Sequence, residues 1–214
     1  NLSDVYISDI GAWCKIRFAD NESSPLHYAT NLYVNGVLVT DIVIPDGVTC
    51  IGKTALSCDN LESVTIPDSV TMIDAYAFWC CRNLNSVTMG NGVKSISTYA
   101  FAGCNKLASI HISDLAAWCK IDFGYSSVTD LLKPYKLYLN DELVTDLIIP
   151  DEISSIHDFA FAGCSSLTNI VIPGSITNIG KYAFYNCGGS QVNVTIEDGV
   201  TSIGENAFSY CCLT

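Results

Sequence analysis

The 214-residue chain carries 22 acidic against 10 basic side chains, a formal net charge of −12, so its surface repels nucleic acid and anionic membrane. Hydrophobic residues make up 49% and charged residues only 15%, yet no apolar run approaches the ~20 residues that a membrane span requires. The 11 cysteines invite a disulfide or zinc reading, but no Cys-x-x-Cys knuckle or Cys/His cluster occurs, and neither a metal nor a cofactor is expected.

In chain order, "LSDVYI" reads as a strand. "AWCKIRF" (Ala12 to Phe18), a polar stretch "ADNESSPLHYATN" and "LYVNGVLVTDIVIP" (Leu32 to Pro45) follow. Asn35-Gly36 between alternating segments predicts a two-residue hairpin. Three similar units come next, opening "IPDGVTCIG" at Ile44, "IPDSVTMID" at Ile66 and "MGNGVKSIS" at Met89. Each leads to an Ala-Phe (or Ala-Leu) pair and a cysteine: "ALSC", "AFWCC" and "AFAGC".

The pattern then starts again. "AWCKIDF" (Ala117 to Phe123) and "LYLNDELVTDLIIP" (Leu137 to Pro150) repeat the first long unit at an offset of 105, and 16 of 36 positions from Ile10 to Pro45 are identical without a gap. Short units open at Ile149, Ile172 and Ile196, spaced by 23 and 24 residues. The chain is therefore two super-repeats, residues 5–109 and 110–214, each a long unit followed by three short ones.

Self-similarity at 20 to 29 residues marks a leucine-rich-repeat solenoid. In "LESVTIPDSVTMIDAYAFWCCRNL", Leu61, Val64 and Ile66 give the buried positions of a strand, with Ser63 and Thr65 outward. Pro67 ends that strand, having no N–H for the ladder. Val70 and Ile73 turn the chain inward again, and "DAYAFWC" is predicted as a short helical or 3₁₀ turn on the opposite side. The expected fold is one α/β repeat solenoid over residues 1–214, a right-handed coil of short parallel strands, short helical or 3₁₀ turns and inserted β-hairpins. No linker divides it.

One coil alone has too little core to stand, so coils must stack. Stacking predicts a spine of Phe78, Phe101, Phe161, Phe184 and Phe208, and beside it a column of Cys58, Cys81, Cys104, Cys164, Cys187 and Cys211. Cysteine there acts as a small buried hydrophobe with a weak donor. Identical positions in a parallel stack point the same way, so the thiols are expected to be free rather than bridged.

The motif I-P-x-x-V-T-x-I-G-x-x-A-F-x-x-C-x-x-L resembles the BspA-type surface leucine-rich-repeat proteins of anaerobic bacteria and some mucosal protozoa, and the long unit looks like a variant of gut Firmicutes. The resemblance implies export to the bacterial cell surface and binding of host matrix, host-cell or neighbouring-cell proteins. It supplies no catalytic motif. The sequence departs from that motif at Leu56 and Asp59, at "MGNG", and at "GGSQVNV" after Cys187. The ends, "LSDVYI" and "CCLT", fall inside repeats, so the chain is expected to be an excerpt of a longer protein.

For a binding face, the outward strand positions form one predicted column of Tyr6, Val43, Thr65, Thr88, His111, Ile148, Val171 and Thr195. Beside it run Asp4, Asp41, Ser63, Ser86, Ser109, Asp146, Asn169 and Asn193. The face is a mildly acidic strip with apolar interruptions, suited to a cationic patch on a protein partner; Thr54 and Thr98 are read as turn positions outside it. The hairpins and the stretches "ADNESSPLHYATN" and "GYSSVTDLLKPYK" are a second candidate edge. A passive spacer role is the alternative to binding. An enzyme would need His111 paired with Ser109 and Asp146, whereas a solvated ladder histidine explains His111 more simply. Asp46, Asp68, Asp151 and Asp198 recur after the strand, where Asp bonding its own turn backbone explains them better than calcium does.

Overall fold

The computed structural model describes residues 2–124, 134–189 and 191–212, and it is a coil of stacked repeats. One face carries the strands Asp4–Ile7, Asn31–Val34, Asp41–Val43, Ser63–Thr65, Ser86–Thr88, Ser109–Ile112, Lys136–Leu139, Asp146–Ile148, Asn169–Ile172 and Asn193–Ile196. Within each run they pair in parallel and in register, Val64 against Val87 and Val87 against Ile110, so like positions lie over like. Val64, Val87 and Ile110 point inward and are buried, while Thr65 and Thr88 point out.

A second parallel face was not foreseen. Cys50–Ile51, Met72–Ile73, Ser95–Ile96 and Asp122–Phe123 form one sheet, and Ser155–Ile156, Asn178–Ile179 and Ser202–Ile203 another. The repeated polar-Ile pair before "G" or its replacement carried that signal, but two residues are too few for a periodicity to show.

The α-helices of the described residues lie in the long units, at Ile10–Cys14 and Leu115–Cys119. Asp9 and Asp114 cap them by accepting the N–H of Ala12 and Ala117 at 3.0 and 2.9 Å. A 3₁₀ turn at Pro25–His27 adds one more. In the short units the expected helical segment is instead a pair of tight turns. The residue before Ala-Phe is left-handed in all six units, with positive φ at Thr54, Tyr76, Tyr99, Phe159, Tyr182 and Asn206. The residue before the cysteine is left-handed too at Cys80, Gly103, Gly163, Asn186 and Tyr210. Only three residues remain between the two reversals, too few to close a helix. Non-glycine residues are strained there, and stacking of Tyr76 on Tyr99 (5.2 Å) and Phe159 on Tyr182 (5.1 Å) offsets part of the strain.

The phenylalanine spine is present but split by the second long unit. Phe78 stacks on Phe101 at 4.9 Å, and Phe161, Phe184 and Phe208 stack at 5.3 and 5.1 Å. Where another short unit follows, the aromatic or Leu amide donates to the Ala carbonyl of that next coil: Leu56 to Ala77, Phe78 to Ala100, Phe161 to Ala183 and Phe184 to Ala207. The long units have no such amide, and tryptophan replaces it. The Trp13 indole N–H donates to Ala55 O at 2.6 Å and that of Trp118 to Ala160 O at 2.8 Å. Trp118→Phe keeps a ring but leaves the buried Ala160 carbonyl without its donor. A loss of about 1–3 kcal/mol in urea unfolding is expected, and a loss within error would mean that water replaces the indole.

The cysteine column also has a hydrogen-bonding role. Cys81 Sγ donates to Leu56 O at 2.9 Å, Cys104 to Phe78 O at 3.2 Å and Cys211 to Phe184 O at 2.7 Å, each reaching the coil before. Cys58, Cys81, Cys104, Cys164, Cys187 and Cys211 are free thiols. Burial pushes the Cys81 thiol well above its ordinary value and that of Cys164 up to about 11. Cys187 and Cys211 differ from the rest, with Sγ atoms 3.1 Å apart. Because the Cys187 thiol donates to it, Cys211 is the more acidic of the two. Native-state alkylation should therefore label exposed Cys212 first and spare Cys58, Cys81, Cys104 and Cys164 until unfolding. Reductant should barely move the melting temperature. Labelling of the buried thiols at the rate of Cys212 would contradict the closed column.

Candidate binding face

Alternation along each strand turns one residue of every coil outward. Tyr6, Val43 and Ile148 are 66%, 72% and 66% exposed, Thr65, Thr88 and Thr195 are exposed, and His111 and Val171 are half-buried. The register joins Val43, Thr65, Thr88 and His111 into one run and Ile148, Val171 and Thr195 into another. The single column expected from sequence is thus broken, and the hairpins break it.

Each hairpin joins the face with residues the sequence reading left out. Tyr33 lies beside Tyr6 and pairs across the hairpin with Leu38; Tyr138 lies beside His111 and pairs with Leu143. The Tyr6 and Tyr33 rings stack at 4.6 Å, as do His111 and Tyr138. Alternation in "LYVNGVLV" carried this signal, since Leu32 is buried and Tyr33 must then point outward. The hairpin turns themselves are as expected: φ is +51° and +79° at Asn35 and Gly36, and +51° and +65° at Asn140 and Asp141.

The polar column holds negative charge in a hydrogen-bonded ladder. Asp41 accepts from Ser63 and Thr40, which lowers its pKa below the usual carboxylate value. Asp4 accepts from Asn31 and Ser3 with the same result. Ser109 donates to Asn85 O at 3.4 Å, and His111 Nδ1 lies 3.4 Å from Asp141 on the second hairpin. Asp68 accepts the Asn91 N–H of the next coil at 2.7 Å, so this aspartate ties two coils together rather than closing its own turn.

Of the two variable stretches, "ADNESSPLHYATN" is partly anchored: Ser24 and Leu26 are buried and His27 stacks on Trp79 at 5.6 Å. Residues 125–133 of "GYSSVTDLLKPYK" lie outside the described residues. Thr54, read as a surface turn position, is buried with φ +54°, because it is one of the left-handed residues before Ala-Phe; Thr98 is half-buried. No helix among the described residues is long and apolar enough to cross a membrane.

Residues 29–131 and 134–214 match the family model described as BspA type leucine rich repeat region, in six copies. Among solved structures, a leucine rich cell surface protein from Faecalibacterium prausnitzii A2-165 is 28% identical over 82% of this chain and 46% of its own length, with a TM-score of 0.46. This chain thus spans less than half of that protein. The leucine rich repeat protein of T. pallidum is 23% identical over 81% of this chain and 77% of its own, with a TM-score of 0.46. One from Eubacterium ventriosum is 17% identical over 94% and 62%, with a TM-score of 0.41. A search of curated proteins returns no match.

Proposed function

Because the chain belongs to the BspA-type leucine-rich-repeat family, we propose that it is a non-catalytic protein-binding module of a bacterial cell surface. Its partners on this reading are host matrix, host-cell or neighbouring-cell proteins, and the surface location is what the family resemblance implies. The observation that carries the reading is the outward strand face, where Tyr6, Val43 and Ile148 stand well exposed, with the stacked Tyr6–Tyr33 and His111–Tyr138 rings among short side chains such as Thr65 and Thr88. Exposed apolar groups held on strands are the kind of anchor that protein interfaces use. Asp41 and Asp146 beside them favour a cationic partner surface.

The test is capture of matrix proteins and mucins on the chain, followed by two lysine pairs. Thr65→Lys with Thr88→Lys puts bulk and positive charge on the face without touching the core. It is expected to weaken binding by about tenfold or more with the circular dichroism spectrum unchanged. Thr49→Lys with Thr71→Lys places the same charges on exposed residues before the second-face strands and should leave binding intact. Equal loss in both pairs would make the effect one of net charge, and no capture of any protein would favour the passive spacer.

A further inference from the structure

Each hairpin opens a break in the outward sheet. Only Val39 and Thr40 separate Val37–Leu38 from Asp41–Val43, yet the two strands belong to different sheets and no backbone hydrogen bond joins them among the described residues. The same holds for Glu142–Leu143 and Asp146–Ile148.

The direction of the backbone groups at the break follows from their neighbours. Thr40 O accepts from Ser63 N and Ile44 N donates to Thr65 O, so the alternate residues Asp41 and Val43 aim their N–H and C=O away from that strand and into the break. Val39 N donates to Leu32 O, which turns the Leu38 groups into the break from the other side. In the second copy Thr145 O accepts from Asn169 N, Ile149 N donates to Val171 O and Val144 N to Leu137 O. Asp146, Ile148 and Leu143 are thereby left facing the gap.

Aliphatic side chains line part of both breaks, beside Asp41 at the first and Glu142, Thr145 and Asp146 at the second. Ile10, Val34, Val39 and Ile42 line a crevice of about 220 Å³, and Leu115, Leu139, Val144 and Leu147, the same positions in the other super-repeat, line one of about 320 Å³. Exposed Val37 and Val43 edge the first, exposed Leu143 and Ile148 the second. Natural sheets guard such edges with lysine, proline or a covering loop, and residues 37–43 contain neither lysine nor proline. Carboxylates stand at the gap instead. Asp41 is held charged by its two hydroxyl donors, and Asp146 has Asp141 and Glu142 on the adjoining hairpin, whose first arm carries Lys136.

We propose that the two breaks are strand-addition sites, each taking an extended segment of a partner protein in which aliphatic residues alternate with lysine or arginine. This rests on the protein-binding reading and names the mode. Free main-chain donors and acceptors select an extended chain, the crevice takes its aliphatic side chains, and Asp41 or Asp146 takes the cation. A second copy of this chain, at net charge −12, meets repulsion at the same place.

The test uses the whole chain and a fluorescein-labelled heptapeptide of alternating valine and lysine. Two equivalents are expected to bind, and the valine–glutamate analogue and a peptide N-methylated at alternate amides should each bind about tenfold more weakly or worse. Val43→Pro with Ile148→Pro removes two N–H groups that face the breaks and serve no ladder, and should abolish binding with circular dichroism unchanged. If that variant loses its fold, the N-methylated peptide decides alone, because it leaves the protein untouched. Absence of binding to the unmodified chain, affinity that survives N-methylation, or a chain dimer in sedimentation that the proline variant dissolves would each overturn the proposal. Thr49→Lys with Thr71→Lys, beside the second face, should bind the peptide normally; matrix-protein capture without peptide binding would overturn strand addition alone, and peptide binding without capture would overturn only the matrix-partner reading.

Discussion

Phe161→Ala should lower stability by about 3–5 kcal/mol, the range for deleting a fully packed ring. Phe161 is inaccessible to solvent, and its ring stacks on Phe184 at 5.3 Å with a 10° interplanar angle. The backbone cannot collapse into the cavity, because the Phe161 amide is tied to Ala183 O at 2.7 Å and the Trp118 indole holds the adjacent Ala160 O. Phe101→Ala should behave alike, since Phe101 holds the same position in an earlier coil and is packed against Phe78. Phe208 is only half-buried, and its replacement should cost less. In a quasi-linear array the damage spreads to neighbouring coils first. Amide exchange should therefore rise in the coils of Phe161 and Phe184 before that of Phe78, and uniform loosening of every coil would contradict the stacked-coil account.

The repeat, the inward strand positions and the phenylalanine and cysteine columns were legible because each is written five or six times, and coincidence in one copy is corrected by the others. What escaped were features made by contact between coils. Four of the six left-handed residues at that place are Tyr76, Tyr99, Phe159 and Tyr182, types that announce no turn, and only Asn206 is of a type that favours that conformation, so the helical expectation had little local against it. Trp13 and Trp118 read as ordinary core aromatics, and their indole bonds reach a carbonyl 42 residues on. The broken face has the same origin. "LYVNGVLV" declares a hairpin, but whether its second arm pairs onward with Asp41–Val43 depends on how two sheets splay, and no residue type records that.

Gly92 shows how such contacts can still be tested one residue at a time. "MGNG" stands where the other units have "IPDG", "IPDS", "IPDE", "IPGS" or "IEDG", and the reason for Gly92 lies in the preceding coil. A Cβ on Gly92 would come 1.8 Å from Asp68 O and 3.2 Å from Val70 O, while the Asn91 N–H is drawn onto the Asp68 carboxylate at 2.7 Å. A methyl group there must lift the turn off its neighbour, breaking that charged hydrogen bond and opening the buried residues Met89 and Val93 below. Gly92→Ala is therefore expected to cost about 3 kcal/mol or more. Gly36→Ala makes the contrast: it has φ +79° but nothing within 4 Å of the added carbon, so only the left-handed backbone is strained, at about 1 kcal/mol. Gly36→Asp should be milder still, because Asp141 occupies the equivalent place at φ +65°. Urea titrations of the three variants should rank them in that order. If Gly92→Ala proves no worse than Gly36→Ala, the turn does not rest on Asp68 and the coils are spaced more loosely than this packing requires.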